Sequence, residues 1–497
     1  FNYTGHGGTT ALSDEKVLTQ TDINQFTYTH LPVWVTATCD FTRFDDLNTS
    51  AGEDVFLNKS SGGIALFTTV RVAYSRPNFP INDNVIRNLF ERNNGRRRTL
   101  GEVMQATKNT LSSVYKLGFC LIGDPAVKMA YPEFGMKVTT VNGQSVDGNS
   151  ISFKALEKIT VEGEVLDASG QLVTDFTGIV NPTVKDSKVT VTCLKNSNKD
   201  DSPAFTFTDY PNTIFIGNDS VRNGKFSFTF TVPKDISYSN LQGKMNLYAV
   251  DTESGNEAQG NFDNFIVGGT SDTAETDTIG PEIRALYLND TTFVDGGQVN
   301  TTPYFVAELW DKSGVNITGS SVGHDMMLVI DESTVLSYNL NSYYELLPGE
   351  EGTGIVKFPI PALEPGKHTA EFWVWDILNN STVRTFTFEV VEGLKPFLFD
   401  VIATPGIARE QVTFHLMHNR PESRMRVGIM VYDLAGRQLW KHEESGTSGL
   451  FENYTVSWDL TSGGARMRPG VYIYRAAIST DNSKDATKAR KFIILGE

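Results

Sequence analysis

The amino-acid sequence predicts an α/β unit, incomplete at its start, over residues 1–132, followed by three all-β sandwich domains. Three observations predict this fold class. A chain of 497 residues is too long for one domain, since domains run about 100–200 residues each. Strand and helix patterns alternate up to residue 132, which is typical of a parallel sheet covered by helices. Beyond that point helical periodicity disappears, and short strands between Gly, Asn and Asp turns favour β-sandwiches.

Composition excludes several classes of protein. Hydrophobic residues make up 39% and charged residues 21%, which is ordinary for globular domains and excludes a fibrous or wholly disordered chain. The net charge is −16, so no nucleic-acid partner is expected, because such a partner requires a basic face. No run of about 18 apolar residues predicts a membrane-spanning helix, and no signal peptide is recognisable. Three cysteines are too few for a disulfide scaffold.

The first 132 residues contain two apolar, β-rich runs, Leu31–Thr38 and Gly63–Val70, which have the pattern of buried parallel strands. Apolar residues at helical spacing predict helices over Pro80–Arg92 and Leu100–Leu117. An open α/β sheet usually has about five or six strands. The opening FNYTGHGG resembles the end of a strand running into a loop, so we expect the missing strands to precede it.

The remaining residues divide into three predicted β domains, 133–268, 269–393 and 394–497. The first boundary within this part falls in a polar stretch without a core pattern, Gly268–Gly280. Alternating runs predict the clearest strands, which are Lys158–Val165, Lys188–Leu194, Lys225–Val232, Thr369–Trp375, Val383–Val391, Val412–Met417, Arg426–Leu434 and Gly470–Ser479.

Two residues with reactive side chains follow predicted strands of the α/β unit. His6 lies in a glycine-flanked loop after a β-like segment, and Cys39 ends an apolar strand. In a parallel sheet both positions lie at the carboxyl edge, where ligands bind. A thiolate is a nucleophile, and a nearby imidazole can take the thiol proton and later protonate a leaving amine.

Backbone donors beside these residues complete a hypothesis of acyl transfer. The N–H groups of Gly7 and Cys39 can form an oxyanion hole, in which each donor contributes about 3–4 kcal/mol in the transition state. On residue type alone, the alternative is an incidental loop histidine and a small buried cysteine. The placement of both residues after β-like runs favours catalysis.

Three motifs resemble the gingipain-type cysteine peptidases: GHGG at residues 5–8, ATCD at 37–40 and LIGDPA at 121–126. The resemblance implies a caspase-like α/β fold, of which residues 1–132 form the C-terminal part. It assigns a catalytic His–Cys dyad to His6 and Cys39, with Gly7 and Cys39 in the oxyanion hole. We interpret Asp124 and Pro125 as a tight turn that closes the last strand.

The third β domain resembles the C-terminal domains of the type IX secretion system, which are Ig-like sandwiches. The motifs are VYDLAGRQLW at residues 431–440, WDLTSGGARMRPGVY at 458–472 and KFIIL at 491–495. This resemblance implies a location on the cell surface, at the outer face of the outer membrane of a Bacteroidetes-type bacterium. The combination of domains most resembles the sortase of that system.

The resemblance implies a cysteine peptidase and transpeptidase that removes C-terminal signal domains from secreted client proteins. A thioacyl-enzyme would transfer each client to anionic lipopolysaccharide, and an outer-membrane β-barrel protein would be the docking partner. One alternative is a secreted protease of the same type that only hydrolyses. A second is an inactive surface adhesin or scaffold. No cofactor is expected, and the sequence leaves room for a structural calcium ion at an unknown site.

Other candidates have weaker support. Arg96, Arg97 and Arg98 are a candidate contact for anionic lipopolysaccharide or a carboxylate, although a solvated loop is the favoured interpretation. Three acidic residues after the nucleophile, Asp40, Asp45 and Asp46, are candidates for a pocket or a cation site, again against a solvated loop. We expect no metal at His415 and His418, because strand residues three apart point to opposite faces. Cys120 and Cys193 are expected to be buried.

Overall fold

The computed structural model shows a mostly β protein with few helices. It describes residues 1–26, 30–59, 62–93, 96–195, 203–272, 277–319, 323–347, 352–480 and 483–495, with backbone alone at 75–77. Contacts divide the chain into two units. The first unit comprises Phe1–Gly135 and Leu166–Gln171, and the second comprises Met136–Val165 and Leu172–Glu497. Among the described residues, no helix has both the length and the apolar composition needed to cross a bilayer.

Among its described residues, the first unit contains short strands and four α-helices. The strands are β1 (Asn2–Thr4), β2 (Ala11–Leu12), β3 (Leu18–Thr19), β4 (Val33–Ala37), β5 (Ala65–Thr69), β6 (Arg92–Asn93), β7 (Arg96–Arg97) and β8 (Phe119–Gly123). The helices are α1 (Gln20–Gln25), α2 (Ala51–Leu57), α3 (Ser75–Phe90) and α4 (Leu100–Thr110), and a 3₁₀ turn spans Val114–Gly118.

A four-stranded sheet in the order β1-β4-β5-β8 forms the middle layer of this unit. β1, β4 and β5 are parallel, as predicted for the two apolar runs, and β8 is antiparallel to β5. Because side chains alternate across a strand, successive residues of β4 reach opposite faces. Val35 packs in one core with α3 and α4, and Trp34 packs in another with α1 and α2. Helices therefore cover both faces of the sheet.

Local sequence explains where these helices begin and end. Thr99 accepts a hydrogen bond from the N–H of Glu102, whose carboxylate accepts in return from the N–H of Thr99, so a capping box starts α4. The predicted start of α3 at Pro80 is wrong, because the helix begins at Ser75. Pro80 lies inside the helix rather than in its first turn, so the preference of proline for the first turn misplaced the predicted start. α4 is shorter than predicted and ends at Thr110.

The motif LIGDPA forms the turn that was predicted after the last strand. The Asp124 carboxylate accepts a hydrogen bond from the N–H of Ala126 at 2.8 Å. The carbonyl of Pro125 accepts from the N–H of Gly101 at 2.9 Å, so the same turn supports the first turn of α4.

The second unit begins with a nine-stranded sheet, and a pairing between its strands Phe134–Val141 and Glu257–Phe262 closes it on itself. The closure of this sheet was not predicted. The other strands of this sheet are Gln144–Ser145, Lys158–Leu166, Gly178–Lys185, Thr213–Ile216, Asp219–Arg222, Lys225–Thr231 and Lys244–Asp251. A three-stranded sheet comprises Ile151–Ala155, Leu241–Gln242 and Phe265–Thr270, and a hairpin comprises Val189–Thr192 and Thr206–Asp209.

Two facing sheets follow, with Phe305 of one and Phe372 of the other in a shared core at a ring distance of 5.0 Å. The four-stranded sheet comprises Glu282–Leu288, Tyr304–Trp310, Thr353–Pro359 and Tyr344–Leu346. The five-stranded sheet comprises Gln298–Val299, Ser381–Val390, Gly366–Trp375, Met327–Ile330 and Ser337–Asn339, and a 3₁₀ turn spans Asn341–Tyr343.

The last sheets also face each other across one core, in which Phe414 and Tyr474 lie 4.8 Å apart. The three-stranded sheet comprises Leu398–Thr404, Val412–His418 and Tyr454–Trp458. The five-stranded sheet comprises Ile407–Ala408, Ala486–Ile494, Gly470–Ser479, Met425–Tyr432 and Gln438–Gly446, and a hairpin comprises Thr461–Ser462 and Ala465–Arg466. The predicted division into three sandwich domains, and their Ig-like type, stays a prediction.

Candidate active site

The loops that carry His6 and Cys39 leave adjacent strands at the same edge of the sheet. β1 and β4 are parallel, with Thr4 opposite Ala37, so each candidate residue lies two positions beyond this pair. The N–H of Gly5 donates to the carbonyl of Ala37 at 3.3 Å and extends the pairing into the loops. The structure therefore has His6 and Cys39 at the carboxyl edge of the sheet, as predicted.

The loop after β1 leaves the backbone N–H of Gly7 unused. Gly7 and Leu12 form an isolated antiparallel bridge whose hydrogen bonds are made by their neighbours. The N–H of Gly8 donates to Ala11 at 3.0 Å, and that of Ser13 donates to the carbonyl of His6 at 2.7 Å. This pattern makes Gly7 a non-hydrogen-bonded position. Within the described part of the chain, its N–H has no acceptor.

Gly7 lies directly against the loop that carries the candidate nucleophile. A Cβ atom at this position would be 2.3 Å from the Oγ1 of Thr38 and 3.3 Å from the carbonyl of Ala11. Only a residue without a side chain permits this approach. The two loops are thus in contact through Gly7 and Thr38.

The thiol of Cys39 is half-buried and contacts the segment before α3. Its Sγ donates to the carbonyl of Ala73 at 3.0 Å, and the N–H of Ala73 donates to Sγ at 3.5 Å. The side chain of His6 is exposed, and no hydrogen bond joins its ring to this thiol. The two side chains lie on neighbouring loops without forming a pair, and apo dyads are often loose in this way.

The peptide that precedes the nucleophile is held by Asn78, a residue that sequence analysis missed. The Nδ2 of Asn78 donates to the carbonyl of Thr38 at 3.4 Å, and Asn78 is only 3% exposed. A signal was present in the sequence. Asn78 lies three residues before Ile81 and seven before Val85, so it extends the apolar stripe of α3 with a polar side chain.

Acidic residues after Cys39 are paired with arginines. Asp45 accepts from Arg71 at 2.6 Å, and this hydrogen bond holds the pKa of Asp45 below its usual value. Asp46 lies 3.6 Å from Arg43. Exposed ion pairs of this kind are ordinary surface features. They favour the interpretation of a solvated loop over a cation site.

The basic run after α3 is paired as well. Arg96 contacts Glu102 at 2.7 Å, Arg97 contacts Glu133 at 2.5 Å, and Arg98 contacts Glu91 at 2.9 Å. Each guanidinium already has a carboxylate partner, so this segment offers less to an external anion than its sequence suggested.

Three expectations outside this site have different outcomes. Cys193 is exposed, so its predicted burial is wrong, because it follows a strand of a two-stranded sheet whose residues are all exposed or half-buried. Cys120 is half-buried.

Both ring nitrogens of His418 form hydrogen bonds, one with the hydroxyl of Ser448 at 2.8 Å and one with the N–H of Arg420 at 3.0 Å. Burial lowers the pKa of His418 to about 4.

A cavity of about 600 Å³ lies in the first unit, away from the candidate nucleophile. Its apolar lining includes Phe1, Pro32 and Trp34, which lie at or near the amino ends of β1 and β4. It therefore lies at the opposite end of these strands from Cys39.

In the second unit, carboxylate oxygens of Asp277, Asp311 and Asp376 lie within 4.8 Å of one another. A group of carboxylates alone does not define a metal site, and no position is assigned to a structural calcium ion.

Comparison with known proteins identifies the first unit. Residues 1–130 match the model of peptidase family C25. Among solved structures, the chain is 37% identical to dimeric latent PorU from Porphyromonas gingivalis, with a TM-score of 0.36. That alignment covers 83% of this chain and 39% of PorU, so the chain spans about two fifths of its length.

Other similarities are weaker. A protease structure is 14% identical over 46% of this chain and 53% of its own, with a TM-score of 0.24. A tandem-repeat region of a large adhesion protein is 14% identical over 73% of this chain and 74% of its own, with a TM-score of 0.16. No curated protein matches the chain. The predicted resemblance to the gingipain-type cysteine peptidases is confirmed by the family match over residues 1–130.

Proposed function

Because residues 1–130 match the model of peptidase family C25, we propose that this protein is a cell-surface cysteine peptidase and transpeptidase. In this proposal it cleaves C-terminal signal domains from secreted client proteins. It then transfers each client to anionic lipopolysaccharide. PorU, with which the chain shares 37% identity, is the sortase that the sequence motifs resemble.

The observation that carries the proposal is the position of two unused backbone donors beside a thiol. The N–H of Gly7 and the N–H of Cys39 make no hydrogen bond within the described part of the chain. They belong to adjacent loops that are in contact through Thr38. Free backbone donors beside a nucleophile are what an acyl-transfer site requires, because they stabilise the oxyanion of the tetrahedral intermediate.

The chemistry follows from these groups. The imidazole of His6 takes the proton of the thiol, and the Cys39 sulfur attacks the carbonyl carbon of the scissile peptide bond. The oxyanion accepts hydrogen bonds from the N–H groups of Gly7 and Cys39. Collapse of the intermediate breaks the C–N bond, His6 gives its proton to the leaving amine, and a thioester remains. An amine then attacks the thioester, which transfers the client and restores the thiol.

The contact of the thiol with Ala73 bears on the first step. A carbonyl accepts only from a protonated thiol, whereas the N–H of Ala73 also stabilises a thiolate. Proton transfer to His6 therefore requires the sulfur to leave the carbonyl of Ala73 while keeping the N–H.

The proposed partners follow from the same resemblance. They are client proteins with C-terminal secretion signal domains, an outer-membrane β-barrel docking protein of the type IX system, and anionic lipopolysaccharide. Because Arg96, Arg97 and Arg98 are paired with carboxylates, we do not assign the lipopolysaccharide contact to them.

The substitution Cys39→Ala tests the proposed nucleophile. We expect processing of a client that ends in a C-terminal signal domain to be lost, with the melting temperature unchanged within a few degrees, since a thiol-to-methyl change is small. Cys193→Ala is the matched control, because Cys193 is also a free cysteine and is exposed in the second unit. Client processing that persists in Cys39→Ala at the wild-type rate would contradict the proposal.

Mass spectrometry of the released client distinguishes transfer from hydrolysis. Transfer adds the mass of the amine acceptor to the new C-terminus, whereas water leaves a free carboxylate. A free carboxylate in the presence of lipopolysaccharide supports a protease that only hydrolyses. No cleavage by the wild-type protein supports an adhesin or scaffold. The intact mass of the mature protein also shows whether residues 394–497 are retained, as a docking role requires.

A further inference from the structure

Asn78 lies at the junction between the start of α3 and the loop of the candidate nucleophile. Two contacts join these segments. The Nδ2 of Asn78 donates to the carbonyl of Thr38, and the carbonyl of Ala73 accepts from the thiol of Cys39. The start of α3 and the segment that leads into it therefore hold both the backbone and the side chain of the nucleophile loop.

The geometry of a peptide bond links the Thr38 carbonyl to the oxyanion hole. In a trans peptide the C=O of one residue and the N–H of the next point in opposite directions. The Thr38 carbonyl is directed toward Asn78, so the N–H of Cys39 points away from α3. That N–H has no acceptor within the described part of the chain. A donor fixed in orientation before substrate arrives needs no reorganisation when the oxyanion forms.

Two unsatisfied oxygens support a functional interpretation. The Oδ1 of Asn78 and the Oγ1 of Thr38 are buried and make no hydrogen bond to the residues that the structure describes; the two residues are 3% and 0% exposed. An unsatisfied buried polar group costs about 1–3 kcal/mol. An apolar residue at position 78 would avoid this cost and would continue the stripe of Ile81 and Val85. The polar side chain is therefore costly for stability at this position, as is typical of residues retained for function.

We propose that Asn78 is a positioning residue, which orients the Thr38–Cys39 peptide so that the N–H of Cys39 faces the reacting carbonyl. This inference rests on the proposed peptidase function and deepens it. Asn78 itself does not touch the substrate. Its loss would misdirect one of the two oxyanion donors and leave the sulfur available.

Two substitutions of Asn78 in the full-length protein test the proposal. Asn78→Ala removes the donor, and Asn78→Asp keeps the shape of the side chain but replaces the donor with an oxygen. We expect kcat for client cleavage to fall about 10- to 100-fold with KM nearly unchanged, because an oxyanion donor acts in the transition state.

Alkylation by iodoacetamide separates orientation of the donor from placement of the sulfur. This reaction displaces iodide at a saturated carbon and forms no oxyanion. We therefore expect Cys39, followed through the mass of its peptide, to react within about twofold of the wild-type rate. A loss of alkylation in proportion to cleavage would overturn the proposal, because Asn78 would then only hold the loop in place.

Asn88 provides the matched control on the same helix. It is 9% exposed and donates to Asn84 at 2.8 Å and to Thr107 at 3.3 Å, on the side of α3 that faces α4. Asn88→Ala removes a buried amide of the same kind with no contact to the nucleophile loop. We expect this variant to cleave the client at the wild-type rate. Equal loss of cleavage in the Asn88 and Asn78 variants would overturn the proposal.

Two further results distinguish a failure of this inference from a failure of the proposed function. Should both Asn78 variants fail to fold, a crystal structure of the wild-type protein with a peptide aldehyde decides. The proposal requires the hemithioacetal oxygen to accept from the N–H of Cys39, and a Cys39 N–H directed elsewhere overturns it. Cleavage that depends on Cys39 but is unchanged in both Asn78 variants refutes this inference alone. Wild-type protein without cleavage refutes the proposed function.

Discussion

Position 7 illustrates how one residue controls the contact between two loops. The Cα of Gly7 packs against the Oγ1 of Thr38, and a Cβ would lie 2.3 Å from that atom. Thr38 is fully buried, so it has no room to move aside. We predict that Gly7→Ala reduces client cleavage more than tenfold and destabilises the first unit by about 1–3 kcal/mol, because overpacking shifts the loop of His6. Enzyme kinetics and thermal unfolding measure the two effects.

Gly8 is the neighbouring control for this prediction. No atom lies within 4 Å of a Cβ built at Gly8, so the site has open space. We expect Gly8→Ala to change stability by less than about 0.5 kcal/mol and to leave client cleavage near the wild-type rate. Equal effects at positions 7 and 8 would mean that flexibility of the loop, rather than the contact with Thr38, is what the glycines provide.

At the scale of an element, a buried arginine fixes the segment that leads into the last pair of facing sheets, Leu398–Ile494, which we call the last β block. Arg420 follows the strand Val412–His418, is 1% exposed, and donates to the carbonyls of Leu394 and Lys395 at 3.0 and 3.4 Å. It also donates to the carbonyl and side-chain oxygens of Asn419. Planar guanidinium groups can satisfy several fixed acceptors at once. The side chain thereby ties the connecting segment to the strand edge.

We predict that Arg420→Met lowers the free energy of unfolding of this block by about 2–4 kcal/mol, because it leaves buried carbonyls without donors. Urea unfolding followed by the fluorescence of Trp440 and Trp458, which both lie in this block, measures the change. Arg426→Met is the control. The side chain of Arg426 is 69% exposed and pairs with Asp485, so we expect a change below about 1 kcal/mol. A similar loss in both variants would contradict the role of Arg420.

Sequence patterns predicted some elements well and others poorly, for physical reasons. The strand Gly470–Ser479 has the predicted bounds, because Tyr472, Tyr474 and Ala476 alternate toward the core and the last four residues form a buried run. α3 begins five residues before its predicted start, because Pro80 was interpreted as the first residue of the helix although it lies in the helix interior. The closing pair between Phe134–Val141 and Glu257–Phe262 was not predictable, since strands more than 100 residues apart leave no local signal of their pairing.

In the candidate site, too, the sequence predicted some residues and missed others. Strand patterns placed His6 and Cys39 at one edge, because a parallel sheet brings the ends of adjacent strands together. Asn78 was missed, although it interrupts the apolar stripe of α3, because its partner is a backbone carbonyl 40 residues away. Backbone contacts of this kind depend on tertiary packing and have no sequence motif.

At the scale of the whole molecule, the second unit contains buried acid groups that make its stability depend on pH. Burial is the main cause that raises the pKa of Asp311 to about 6, and the charge of Asp376 adds to it. Burial likewise raises the pKa of Asp376. The N–H groups of Ser313 and Gly314 donate to Asp311 and only partly oppose the effect. The ionised form of Asp311 is therefore less favourable in the folded chain than in the unfolded chain.

The sign of the pH dependence follows from these values. Below the unfolded pKa of 3.8 the group is protonated in both states, and no penalty arises. Between 3.8 and about 6 the unfolded chain releases the proton first, so folding becomes less favourable as pH rises. Above about 6 both states are ionised and the full penalty remains, on the order of 1 kcal/mol after allowance for solvent screening.

We predict that Asp311→Asn stabilises the second unit above pH 6 by about 1 kcal/mol and has little effect near pH 4. The amide oxygen of asparagine still accepts from Ser313 and Gly314, so the turn is kept while the charge beside Asp376 is removed. Thermal unfolding of both proteins between pH 4 and pH 8 measures the difference. Asp290→Asn is the control, because Asp290 is a half-buried turn residue that also accepts from a backbone N–H, that of Thr292. A stability difference for Asp311→Asn that is constant over this range would contradict the raised pKa.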